Sequence, residues 1–317
     1  MASPTMWISF AIVIVALLLL DLFVFHRSDE EMSVRSALWW SLGWISLALA
    51  FGGVVWAWQG AAVAQQYLAA YLIEKSLSID NLFVFVVIFS GLGIAAKYQH
   101  KVLFWGILGA IVFRLAFIFG GLALLEQFHW IIYVFGAFLL YTAVKMWRAD
   151  EAGSDPQRNP LVRLAEKYLP LDCSYQGGSF AYRSGGKLVF TSLALALIAV
   201  ESADLVFAVD SVPAVLAISR DPFIVFTSNI FAILGLRSLY FALAGCIDRF
   251  HYLHYGLALV LGFVGAKMLL VDVVHVPIIA SIVVILGTVG GSMAYSVWKT
   301  RGACAIPPVP VVIPDAE

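Results

Sequence analysis

The sequence predicts an all-α membrane protein of about nine transmembrane helices, six of them arranged as two inverted three-helix repeats. Three observations predict it. The chain of 317 residues is 62% hydrophobic and only 12% charged, against about 25% charged residues in a typical soluble domain. Apolar runs of about 20 residues, the length that crosses roughly 30 Å of hydrocarbon, recur about nine times. Two of those runs carry clusters of ionisable residues near their middles, where each such group costs several kcal/mol unless paired or hydrated.

The expected spans are 7–25, 37–56, 67–89, 102–124, 130–147, 188–206, 223–246, 252–271 and 277–298. The first has neither a charged leader region nor a small-residue cleavage site, so it is expected to be retained as a helix. The sixth can extend to Leu216 with a break at Pro213, because proline removes a backbone donor and crowds the carbonyl four residues back, at Val209. The soluble connection 148–187 is too short for a core of its own. Within it RNPLVRLAEKYLP has the pattern of a surface amphipathic helix, and DCSYQGGSFAYRSGGK has the turn residues of a hairpin. The tail AIPPVPVVIPDAE is proline-rich and reads as extended.

Lysine and arginine are unequally distributed over the connections, and that asymmetry sets orientation. The first, third, fifth and seventh connections and the tail hold Arg27 and Arg35; Lys97 and Lys101; Arg148, Arg158, Arg163, Lys167, Arg183 and Lys187; Arg249; Lys299 and Arg301. The N-terminus and the even connections hold only Arg220. The reading is a multi-pass protein of a bacterial inner membrane with its N-terminus outside and its C-terminus cytoplasmic.

An internal repeat organises the centre. SIDNLF at 78–83 resembles SADLVF at 202–207, the run around Arg114 resembles that around Arg237, and AVKM at 143–146 resembles GAKM at 265–268, all at an offset of about 123 residues. A three-helix unit reverses its orientation when repeated, which is the plan of many secondary transporters with a midplane site between the copies. A second register, matching Asp80-Asn81 to Asp210-Ser211, stays open. The chain therefore divides into 1–66 (two helices), 67–147 (first repeat), 148–187 (cytoplasmic loop), 188–271 (second repeat) and 272–317 (last helix and tail).

At 100° per residue, Glu74, Ser78 and Asn81 share a narrow arc of the third helix, and Glu201, Asp204 and Ser211 share a broad face of the sixth. Asp80 and Asp210 point elsewhere unless the backbone breaks, and a break near Pro213 would swing Asp210 inward. Five carboxylates with Asn and Ser, and no His, Cys or Met among them, make an all-oxygen set that suits a hard divalent cation such as Mg²⁺, Ca²⁺ or Mn²⁺. Lys75, Arg114 and Arg237 offset three of the five charges, leaving an excess that one divalent cation or protons would neutralise. The bland alternative is a structural salt-bridge network. It has even weight for Arg114 and Arg237 but gives no reason for excess charge of one sign. Lys145 and Lys267 read as snorkelling, Asp21 as interfacial, Asn229 as an interhelical hydrogen bond or a ligand with the structural role favoured, and the six histidines as residues of the connections. Cys173, Cys246 and Cys304 have no CxxC spacing. There is no basic stripe for nucleic acid. Neither HExxH nor a GxSxG nucleophile points to an enzyme.

LIEKSLSIDNLFVF, VESADLVFAVDSVPAV and SRDPFIVFTSNIFAILGLRSLYF, in that order and joined by GAFLLYTAVKM and LGFVGAKMLLVD, resemble the TerC family of integral membrane proteins, most closely its Alx-type members. The resemblance implies a LysE-like transporter fold and a role in metal homeostasis, chiefly Mn²⁺ export. It implies that Glu74, Asp80, Glu201, Asp204 and Asp210 bind the metal. The family name comes from tellurium resistance, and some members are linked to metallation of exported enzymes, so a membrane scaffold or metal sensor is the alternative reading. Mn²⁺, protons and the bilayer are the expected partners, with no prosthetic group.

Opposite charge bias at the two faces makes the topology testable. A reporter fused after Glu317 is expected in the cytoplasm and one fused before Trp7 outside. Finding both on one side would remove the odd number of crossings and the inverted repeat with it.

Overall fold

The computed structural model describes residues 3–26, 34–128, 130–148, 170–172, 178–184, 186–243, 252–274 and 276–300, with the side chains of 21–26, 80 and 300 outside that set. Its helices are α1 (Pro4–His26), α2 (Val34–Gln59), α3 (Ala61–Gly91), α4 (Ala96–Gln127) and α5 (Ile131–Arg148), then α6 (Ser192–Leu216), α7 (Pro222–Leu234), α8 (Leu236–Leu243), α9 (Leu253–Leu269) and α10 (Ile278–Thr300). Among the described residues six segments are long and apolar enough to cross a membrane: α2, α4, α5, α6, α7 with α8 taken together, and α10; α1 and α9 contribute shorter apolar helices. The chain is an all-α membrane protein.

Three boundaries differ from expectation in ways that matter. Helix α3 begins six residues early, directly after Gly60, whose φ of 86° turns the chain between α2 and α3. Helix α6 runs unbroken through Pro213, so the expected break is absent. Proline sacrifices one backbone hydrogen bond, but Val212, Ala214, Val215 and Leu216 are all buried in one apolar cluster that holds the last turn in line. The seventh span, by contrast, is interrupted at Gly235, which separates α7 from α8.

The expected hairpin is present: β2 (Ala181–Ser184) pairs antiparallel with β3 (Lys187–Thr191), and β1 (Leu171–Asp172) adds parallel to β3. Gly186, at φ 79°, makes the turn. Thr191 ends β3 and caps α6, its hydroxyl accepting from the Leu193 N–H. The expected amphipathic helix and the proline-rich tail fall largely or wholly outside the described residues.

Contacts at the ends of helices define their directions. The Ser219 hydroxyl, just beyond α6, donates to Gln66 near the start of α3 at 2.8 Å, whereas Phe85 late in α3 shares a cavity with Val200 early in α6. Helices α3 and α6 are therefore antiparallel, as expected for the two charged segments. Along α4, a side chain at Gly106 would meet Val200 and one at Gly121 would meet Leu216, so α4 and α6 run parallel. Helices α5 and α9 are antiparallel: Gly136 lies on Gly265, Ala143 on Gly262, and Trp147 on Tyr255. The packing has an exchange pattern. Helix α3 rests on α7 as α6 rests on α4, and α3 with α6 and α5 with α9 form the pairs across the centre.

One end of the bundle gathers the basic connections. Lys101 Nζ donates to the Gly178 carbonyl at 2.5 Å, Tyr240 donates to Gln99 at 2.8 Å, and Lys299 lies over the Tyr252 ring at 4.6 Å. The described residues that border the connections after α3, α5 and α8 and the end of α10 thus meet in pairs at one end, in keeping with the Lys/Arg pattern.

In lipid no hydrophobic effect drives helix against helix, so close backbone approach through small residues carries much of the association. The α5–α9 seam shows this directly. A Cβ at Gly265 would stand 2.9 Å from the Gly136 carbonyl oxygen and 3.0 Å from the Leu140 nitrogen, both backbone atoms. Gly265→Val is expected to lower stability by about 1–3 kcal/mol through overpacking, read as an earlier thermal transition in detergent. Gly287→Ala, with nothing within 4 Å of the added methyl, should melt close to the parent.

Candidate functional site

Two apolar clusters stack along the bundle axis. One contains Ile73, Leu77, Ile118, Leu122, Val212 and Leu216; the other contains Leu82, Phe85, Ile107, Val200 and Ala203. Between them, on each helix, the sequence switches to polar residues: Ser78 and Asn81 on α3, Arg114 on α4, Asp204 and Ser211 on α6. All are buried, and so is Glu74 one turn from Ser78. The narrow arc expected on α3 borders this layer, and of the broad face expected on α6 Asp204 and Ser211 lie in it.

Arg114 is its centre. Its Nη1 pairs with Glu74 Oε1 and donates to Ser211 Oγ at 3.1 Å; its Nη2 holds Asp204 Oδ1 at 3.2 Å. One guanidinium therefore joins α3, α4 and α6. Arg114 and Glu74 are fully inaccessible, and an ion in such surroundings persists only with a partner and hydrogen bonds. The triad carries one positive and two negative charges. Among the described residues Glu74 Oε2, Asp204 Oδ2, Ser78 Oγ and the Arg114 Nε–H are buried without hydrogen-bond partners, so the layer holds more oxygen acceptors than the described donors use.

The other expected site residues are distributed around this centre. Glu201 is half-buried, and its carboxylate rests on the backbone of Gly109, where any side chain would collide with it. Gly109 was not legible as a site residue. Its only signal is a glycine inside an apolar helix, which has many other causes. Arg237 is buried on α8 and lines, with Asp204, Phe85 and Ile233, a small cavity of about 20 Å³, room for about one water-sized species. Asp210 does not join the cluster: without a break at Pro213 it stays on the far side of α6 and accepts from Thr142 Oγ1 of α5 at 3.0 Å. Lys75 does not face the carboxylates either. It donates to the Ala232 carbonyl at 3.2 Å, in the last turn of α7 before the interruption at Gly235. Asp80 lies on α3 with its side chain outside the described residues. Among those residues no group of three His, Cys, Asp or Glu side chains is gathered as a metal cage.

Near the helix ends, Lys145 is exposed in the last turn of α5 and Lys267 donates to Ser281 at 3.1 Å. Asn229 is fully buried, and among the described residues neither atom of its amide has a partner. The interhelical hydrogen bond expected of it is not found there.

A bundle of apolar helices with a buried, net-negative oxygen layer at its centre defines a polytopic integral membrane protein with an ionic core. The chain belongs to the TerC family of integral membrane proteins, whose model matches residues 59–303. It is 50% identical over 301 residues to the uncharacterized membrane protein STKORF319 of Myxococcus xanthus, covering 95% of this chain and 94% of that protein. It is 45% identical over 305 residues to the Escherichia coli K12 protein named "Putative membrane-bound redox modulator Alx", covering 93% and 95% of the two chains. A Rickettsia bellii membrane protein is 42% identical over 278 residues, covering 88% of this chain and 92% of that protein. No solved structure matches.

The triad predicts a graded response. Arg114→Leu strands two buried carboxylates and is expected to destabilise the protein by about 3–5 kcal/mol. Adding Glu74→Gln removes one of the stranded charges and should recover part of the loss. Thermal unfolding in detergent reads both, and an Arg114→Leu protein that melts like the parent would mean the guanidinium is not the tie between the three helices.

Proposed function

We propose that the polar layer is the transport site of a divalent-cation exporter and that the cation is Mn²⁺. The single observation that carries the reading is the set of buried oxygens, Glu74 Oε2, Asp204 Oδ2 and Ser78 Oγ, without a hydrogen-bond partner among the described residues beside a triad of net negative charge. A purely structural ion pair satisfies its own lone pairs. A cation site keeps them for its ligand. Hard oxygen donors select Mg²⁺, Ca²⁺ or Mn²⁺ over soft metals, and the choice of Mn²⁺ among these follows from the likeness to the family.

In this reading Glu74 and Asp204 supply the charge that draws a dehydrated ion, and Arg114 holds both carboxylates in place while limiting their repulsion when no ion is bound. Glu201, beside Gly109 and less than one turn from Asp204, and Asp80, under two turns from Glu74, are further carboxylates on the route. Asp210, paired with Thr142, serves as a station away from the centre. Protons replace the ion in the returning state. The exchange pattern of helix contacts supports two inverted repeats, 67–147 and 188–271, that rock about the layer. The gathering of basic connections at one end supports a bacterial inner-membrane protein with a cytoplasmic C-terminus. The name borne by the relatives suggests a redox role for them. In this chain the three cysteines form no CxxC pair, so the residues favour the cation.

Purified protein in liposomes is expected to move Mn²⁺. Asp80→Asn and Asp204→Asn each remove one charge while keeping size, and a hard cation binds amide oxygens far more weakly than carboxylates; each should abolish flux in a protein that still folds and inserts. Lys267→Gln should transport at nearly the parental rate. Parental flux from both Asn variants would make the carboxylates structural and return the scaffold reading.

A further inference from the structure

Asn229 occupies a position that its sequence context conceals. On α7 the residues Val225, Asn229 and Ile233 follow one another at intervals of four, which keeps all three within about 80° of arc. Val225 belongs to the apolar cluster that contains Leu77, Ile118 and Val212. Ile233 belongs to the other, with Leu82, Ile107 and Ala203. A residue midway along that stripe therefore lies at the level between the clusters, the level at which α3 places Ser78, α4 places Arg114 and α6 places Asp204. Ile233 independently lines the small cavity that Asp204 and Arg237 share. The polar layer thus continues onto a fourth helix.

What Asn229 does there is constrained by what it lacks. It is fully buried, and among the described residues its amide oxygen and its amide nitrogen both have no partner. A buried amide left unbonded opposes folding, since it has given up its water without replacement. Its neighbours in the layer with the same deficit are Glu74 Oε2, Ser78 Oγ and Asp204 Oδ2. The Arg114 Nε–H is unpaired there as well, but the acceptors outnumber it: Glu74 and Asp204 each spend one oxygen on Arg114 and keep the other, and Asn229 Oδ1 adds a further unpaired oxygen.

We propose that Asn229 is a ligand of the same cation, its amide oxygen completing from α7 the set begun by Glu74, Ser78 and Asp204. This rests on the cation-site reading above and extends it to the element packed against α3. A neutral oxygen adds a coordination position without adding charge, which suits a triad that already holds one surplus negative charge. It also ties the ion to α7, which ends at Gly235 beside Lys75. Binding would then draw the interrupted span onto α3, α4 and α6.

The experiment compares the full-length parent, Asn229→Ala and Asn229→Asp in detergent, measuring thermal unfolding without metal and Mn²⁺ affinity by titration. As a ligand, Asn229 does not support the metal-free fold. Asn229→Ala should therefore melt at or above the parental temperature without metal while its Mn²⁺ affinity falls by about tenfold or more, and Asn229→Asp, which restores an oxygen, should regain binding. Two results overturn the proposal while leaving the cation site standing. One is an Asn229→Ala protein that binds Mn²⁺ like a parent that itself binds it. The other is an Asn229→Ala protein that melts lower without metal or fails to fold, which assigns the residue to holding helices together. A parent that binds no Mn²⁺ overturns both this assignment and the proposed function.

Discussion

A guanidinium buried at membrane depth is the constraint on which the rest of the structure depends. Arg114 has no access to solvent, and a charge so placed is tolerated only with partners at hand. Those partners come from two other helices, Glu74 of α3 and Asp204 of α6. Removing Arg114 leaves two buried carboxylates uncompensated, and removing both carboxylates leaves the guanidinium unpaired, so the three helices are bound to a common geometry. The apolar clusters on either side reinforce it by excluding the water that would otherwise relieve a misplaced ion.

The triad is stable enough to hold the bundle and incomplete enough to do more. Two carboxylates against one guanidinium leave a surplus, and the unused oxygens lie in a buried layer where electrostatic interactions are stronger than in water. A site of this kind must gain something positive when the surplus is exposed, whether an ion or a proton. The structural and transport roles are therefore continuous: the same residues that fix α3, α4 and α6 create the demand for a cation.

Around this centre the packing is of two kinds. At the α5–α9 seam glycine backbones touch, and Gly136 and Gly265 leave no space for a methyl group. Such a contact resists sliding. At Gly235 the opposite holds: the helix is interrupted, its Ala232 carbonyl is taken by Lys75, and the ladder of backbone bonds that would stiffen α7 and α8 as one rod is absent. Lys75, adjacent in sequence to Glu74, is turned by about 100° toward a different helix, so a single turn of α3 contacts both the ionic centre and the interruption.

The sequence by itself determined the apolar spans, the grouping of the basic connections and the arc of Glu74, Ser78 and Asn81, because composition and helical periodicity are local properties that need no partner to be read. It also marked Arg114 as a charge at depth. Tertiary structure alone decided which carboxylates Arg114 holds, that Pro213 leaves α6 straight while Gly235 divides the next span, and that Asp210 turns to Thr142. Those outcomes depend on what lies across the helix interface. Pro213 is outvoted by the buried residues on either side of it, and Lys75 and Glu74 part company because different helices meet their two faces. Gly109 was invisible, and Asn229 was legible only as a buried polar residue, for the same reason: a glycine beneath a carboxylate and an amide between two apolar clusters acquire meaning only from neighbours on other helices.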